Sequence, residues 1–101
     1  MTPTARRDLR QQAQWLHARS ATGAARWLNE FERTLETLAA NPLSAGLAPE
    51  SDFVGREIRE AAFKTPRGNP YRIVFDIAGP VVRILRIRGP GQDDLSLEDL
   101  E

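Results

Sequence analysis

The sequence predicts an α+β fold: an N-terminal antiparallel helical hairpin packed on a three- to four-stranded antiparallel sheet. Three observations carry this reading. Leu28, Phe31, Leu35 and Leu38 recur at helical steps in the first half of the chain. Residues 71–77 and 81–88 are dense in Val, Ile, Tyr and Phe, as strands are. Asn41-Pro42 separates the two regimes, because proline disfavours helical geometry in the residue before it.

Each element has its own signal. Thr2-Pro3 reads as an N-cap with proline at the first helical position. Leu9, Ala13, Leu16 and Ser20 then share one face, so a first helix is expected over residues 3–19. Residues 20–22 read as a short break, with Thr22 capping a second helix that carries Ala24 and the leucine stripe. Trp15 and Trp27 flank the stripes and are expected to pack. Residues 42–52, with two prolines and one glycine, read as a loop. The stretch FVGREIREAAFK suits a strand by its place before a hairpin, and TPRGNP reads as a turn. The strands at 71–77 and 81–88 close around Ala78-Gly79-Pro80.

The totals bound the function. The chain of 101 residues is expected to form one domain with one modest core, residues 93–101 being a short acidic tail. No apolar run approaches the roughly 20 residues that span a bilayer, and the first residues lack the apolar centre of a signal peptide. There is no cysteine and only one histidine, His17, so neither a disulfide framework nor a thiolate or histidine metal site is available. The expectation is a cytoplasmic protein without cofactor, metal or membrane partner. RGPGQ is not followed by Gly-Lys-Ser/Thr, so no P-loop is read from it. Ser96 with Asp99 makes a weak capping box for a short last helix.

The net charge of zero conceals a division. Residues 1–52 balance, residues 53–92 carry +5, and residues 93–101 carry −5. All but one of the 14 basic residues are arginine, whose planar fork suits phosphate or carboxylate. In a three-residue turn, Phe75 faces Arg83, Ile73 faces Leu85 and Tyr71 faces Ile87 on the core side. Arg72 then faces Arg86 on the open side, with Arg88 next along. Like charges directly opposite one another destabilise a sheet, which points to an anion on that face. The candidates are phosphate, a partner's carboxylates or the acidic tail. The expected binding face is Arg72, Arg86, Arg88, Lys64 and Arg59.

TPTARRDL, LAANP, EIREAAFK, YRIVF and VRILRIRG followed by QDDL stand in an order that resembles the RelE/ParE superfamily, the toxins of bacterial type II toxin–antitoxin systems. The resemblance covers nearly the whole chain. It implies a helical hairpin on an antiparallel sheet, a cognate antitoxin that wraps the toxin, and one of two activities: ribosome-dependent mRNA cleavage, as in RelE-like members, or inhibition of DNA gyrase, as in ParE-like members. By position Arg72 matches the RelE-like arginine at the cleaved phosphate, and Lys64 loosely matches an upstream lysine. The loop after the last strand, GPGQDDL, holds no His, Tyr, Lys or Arg. Transesterification needs a base and an acid, and an arginine is a poor base. Asp93 and Asp94 can act as bases, but phosphates repel them. The expected function is therefore a ParE-like gyrase inhibitor of the plasmid-stabilisation kind, with no catalytic residues of its own. The alternatives are a ribonuclease using Arg72 and Lys64 on ribosome-bound mRNA, and a non-toxic antitoxin-binding member. The superfamily usually starts with a strand before the first helix. Here the first element is the helix, which implies one strand fewer or a start further upstream.

Overall fold

In a computed structural model, residues 1–92, 95 and 97–100 are described. Two long helices come first, α1 (Pro3–Arg19) and α2 (Ala21–Ala40). A 3₁₀ turn (Pro42–Ser44), β1 (Gly46–Leu47) and α3 (Glu50–Val54) follow. The chain then forms β2 (Arg59–Phe63), β3 (Tyr71–Ala78), β4 (Val81–Arg88) and α4 (Leu97–Leu100). The sheet is antiparallel with strand order β1-β2-β3-β4. The expected α+β architecture is present.

Thr2 caps α1 as expected, its hydroxyl accepting from Ala5 N–H at 3.1 Å. The same hydroxyl donates to the Leu85 carbonyl, and Thr2 N–H donates to that of Ile84. One residue thus starts the helix and ties it to the outer edge of β4. The break between α1 and α2 is narrower than expected. Ser20 alone ends α1 and caps α2 by accepting from Gly23 N–H, so Thr22 lies inside the second helix.

The stripe on α2 does what its spacing predicts. Trp27, Phe31 and Leu38 are buried against Phe63, Tyr71, Ile73, Phe75, Ile84 and Ile87, with Leu28 and Leu35 at the margin. The Trp27 ring centroid lies 5.3 Å from that of Phe63 and 5.2 Å from that of Tyr71, distances at which edge and tilted contacts add to area burial. Trp15, expected to pack, is instead 54% exposed.

The hairpin register differs from the expected one. Ala78 pairs with Val81, leaving a two-residue turn of Gly79 and Pro80. Gly79 takes φ +59, and proline fixes a negative φ at the second position, the pattern of a type II′ turn. A bulge opposite Val74 and Phe75 then absorbs one residue of β4: Arg86 pairs with Val74, and Ile84 with Phe75. Arg72 consequently stands opposite Arg88, not Arg86, and Arg83 stands opposite Asp76, not Phe75. Leu85 turns to the sheet face away from α1 and α2, where it packs beside Val74.

That second face is not open. Residues expected to be loop build β1 and α3, and FVGREIREAAFK divides between the end of α3 and β2, with Gly55 at φ +74 ending the helix. Ala48, Ile58, Leu95 and Leu100 close over Val74 and Leu85 as a second core. Strand β3 is therefore buried on both faces, which accounts for its nearly unbroken apolar sequence.

Candidate functional site

The second face carries the charges. Arg72 sits mid-sheet, paired with Ala62 on β2 and Arg88 on β4. Its Nη1 donates to Glu50 Oε1 and to Glu60 Oε2, each at 2.9 Å, and its Nη2 donates to Glu50 Oε2. Glu60 is placed by β2, one step diagonal to Arg72 across the ladder. Glu50 stands at the start of α3 and is fully buried. It also accepts from Leu95 N–H at 2.8 Å. Burial pushes the Glu50 carboxyl up, but the hydrogen bonds from Arg72 and Leu95 outweigh it and hold the group down to about 2. The Glu50 hydrogen bond in turn pushes the Arg72 guanidinium above its ordinary value.

Arg88 faces Arg72 across the hairpin, so a like-charged pair does exist on this face, shifted by two residues from the expected one. A shallow groove of about 460 Å³ runs beside it, lined by Leu47, Glu60, Ala62, Pro70, Arg72 and Arg88. Lys64, one residue past β2, is exposed and reaches the Pro66 carbonyl at 3.5 Å. Arg59 does not join this group. It pairs with Phe75 on the face toward the helices and donates to the Ala45 carbonyl at 2.7 Å.

Arg86 lies at the bulge and spans the β4 edge. Its Nε donates to Asp8 Oδ2 at 2.7 Å and its Nη2 to Asp8 Oδ1 at 3.2 Å, while Nη1 stands 3.7 Å from Asp99. Asp8 also accepts from Ile87 N–H, so α1 closes the β4 edge with a carboxylate. Further along, Asp76 is buried between Arg83 and Arg56. Burial raises its carboxyl, and the hydrogen bonds from both arginines carry it below the ordinary value.

Sequence reasoning found the arginines but missed the acids that meet them, Asp8, Glu50 and Asp76. Only Asp76 carried a local signal, since it breaks an apolar strand; Asp8 and Glu50 lie far from their partners in sequence. Asp93 and Asp94, considered above as bases, and Ser96 lie outside the described residues, as does Glu101 of the acidic tail. The loop from Gly89 to Gln92 brings no His, Tyr, Lys or Arg to the face. Among the described residues, no group of three or more His, Asp or Glu side chains is arranged to hold a metal ion. No helix among them is long and apolar enough to cross a membrane.

A helical hairpin on this sheet, with an arginine-bearing β3–β4 hairpin, is the arrangement that the ordered motifs imply. A family model for the ParE toxin of the type II toxin–antitoxin system parDE matches residues 1–93. The chain belongs to the ParE toxin family. No curated protein and no solved structure matches it. The match spans both long helices, the whole sheet and the loop after β4, so Arg72, Arg86 and Arg88 all lie within the ParE region. Membership makes this protein a toxin of a type II toxin–antitoxin system and implies an antitoxin as partner.

Proposed function

We propose that this ParE-family toxin inhibits DNA gyrase by binding, without chemistry of its own, and that its antitoxin neutralises it by occupying the Arg72–Arg88 face. The observation that carries the reading is the state of Arg72. In a ribonuclease that arginine must meet the scissile phosphate. Here Glu50 and Glu60 take its terminal nitrogens, and Glu50 is fully buried. Detaching a guanidinium from a buried carboxylate leaves an uncompensated charge, which is strongly unfavourable. With its proton held more tightly than usual, Arg72 is also no base for a 2′-hydroxyl.

The groove beside Arg88 is the place for an antitoxin segment. It sets the half-buried Arg88 beside the exposed Leu47 side chain, so an extended segment alternating acidic and apolar residues fits it. The test runs two assays on one purified toxin: gyrase supercoiling without ribosomes, and mRNA cleavage on translating ribosomes. Inhibition in the first with silence in the second supports the proposal. Ribosome-dependent cleavage that disappears in Arg72→Ala establishes the ribonuclease instead.

A further inference from the structure

The even charge balance of residues 1–52 hides a division of its own. Residues 1–29 hold Arg6, Arg7, Arg10, Arg19 and Arg26 against Asp8 alone, a net +4, and residues 30–52 carry −4. Asp8 is buried, with Oδ1 held by Arg86 and Oδ2 shared between Arg86 and the Ile87 N–H. All five arginines are exposed. The solvent face of α1 therefore presents cations and no carboxylate of its own. No described carboxylate stands within ion-pair distance of Arg6, Arg7, Arg10 or Arg19.

Helical spacing sets the exposed residues in two adjoining rows. Arg6, Arg10 and Gln14 stand four apart along one, and Arg7, Gln11, Trp15 and Arg19 along the other. The Arg19 guanidinium carbon lies 4.1 Å from the centroid of the Trp15 ring, a contact that holds this cation on the same face. The arrangement has a local cost. α1 has no acid in its first turn, and Arg6 and Arg7 stand near the positive end of its dipole, where a carboxylate stabilises and a cation does not. Neither packing nor pairing within the chain explains them, since both are exposed and neither makes an ion pair.

We propose that the exposed face of α1 binds duplex DNA through its phosphates. The planar fork of arginine matches a phosphate, and every cation in these rows is an arginine. The composition favours DNA over an acidic protein. Trp15 is the one large hydrophobic side chain exposed on α1, and protein–DNA interfaces are more polar and far more positively charged than those between proteins. The shape favours a duplex over a single strand. α1 is a convex rod of 17 residues, about 25 Å long, and the major groove of B-DNA admits a helix, whereas a single strand is tracked by a basic groove. Gln11 and Gln14, set between the arginines, add amide donors to the backbone contacts, which position the protein without reading sequence. None of these α1 residues lines the groove beside Arg88, so the inference stands apart from gyrase inhibition.

The experiment follows the fluorescence anisotropy of a short labelled DNA duplex of mixed sequence as the purified full chain is added, from low to physiological salt. Saturable binding is expected, with a Kd of about 10⁻⁴–10⁻⁶ M at physiological salt. With about three phosphates engaged, the logarithm of affinity should fall against that of salt with a slope of about −3. Arg7→Gln/Arg10→Gln, at exposed positions, is expected to weaken binding about tenfold and to flatten the slope by about 2, with an unchanged circular dichroism spectrum. Arg33→Gln/Arg67→Gln, which removes the same charge from exposed sites elsewhere, is expected to leave both nearly unchanged. One unpaired strand of the same DNA, and polyglutamate of equal charge, should bind more weakly than the duplex. Absence of saturable duplex binding overturns the proposal, as does a slope near zero. Equal losses in the two double variants, or tighter binding of the single strand or of polyglutamate, overturn it as well.

Discussion

Glu50 and Arg72 form a two-point ion pair across 22 positions of sequence, with the carboxylate fully buried and shared with the backbone N–H of Leu95. Three segments meet at this one group: the start of α3, the start of β3 and Leu95. Removing the carboxylate while leaving the guanidinium is therefore expected to be costly. Glu50→Ala should lower stability by about 3–5 kcal/mol, the range for breaking a buried pair. Urea unfolding followed by circular dichroism measures it.

The same carboxylate sets an acid limit. Its folded value of about 2 lies below the ordinary 4.5, so the unfolded chain takes up the proton first. The contribution is complete above about pH 5 and is lost as pH falls through about 2; the shift corresponds to about 3 kcal/mol. Asp76, also lowered, acts in the same direction. Unfolding free energy measured from pH 6 to pH 2 should fall with acid, and the fall should be shallower in Glu50→Gln.

The helix stripe gives a graded expectation. Leu38 is 2% exposed, whereas Leu35 is half-buried at the margin of the same core. Leu38→Ala should cost about 2–5 kcal/mol, as core truncations do, and Leu35→Ala distinctly less. Equal losses in chemical denaturation would place the centre of the core elsewhere.

Thr2 performs two tasks with one hydroxyl, capping α1 and donating to the Leu85 carbonyl on β4. Thr2→Ala should cost about 1–2 kcal/mol, near the top of the range for a cap. Thr2→Ser, which keeps the oxygen, should restore most of it. Thermal unfolding of the two variants side by side decides the point.

The elements most legible in the sequence were those whose signal is local. Thr2-Pro3 marked the first helix, Asn41-Pro42 ended the second, and the Val- and Ile-rich runs located β3 and β4. The hairpin register was not legible, because the bulge at Val74 depends on how β4 meets both α1 and β3. Without the bulge, Leu85 shares a face with Ile73; with it, Leu85 and Val74 form a second core under Leu95 and Leu100. The short elements β1 and α3 escaped because two and five residues carry no periodicity. The arginines were visible as a cluster. Their partners were not, since Asp8 and Glu50 reach Arg86 and Arg72 only through the tertiary fold.

The groove beside Arg88 yields an expectation for the antitoxin. Arg88→Ala should weaken binding of an acidic antitoxin segment and flatten its dependence on salt. Exposed ion pairs contribute about 0–1 kcal/mol each, so the change in affinity is expected to be modest and the change in salt slope the clearer signal. Calorimetric titration at two ionic strengths reads both.

Supercoiling of relaxed plasmid by purified DNA gyrase, with toxin added and no ribosomes present, tests the central claim most directly. Dose-dependent inhibition by the wild-type toxin, relieved by its antitoxin, is the expected result. Undiminished supercoiling at toxin concentrations that arrest cell growth would contradict it.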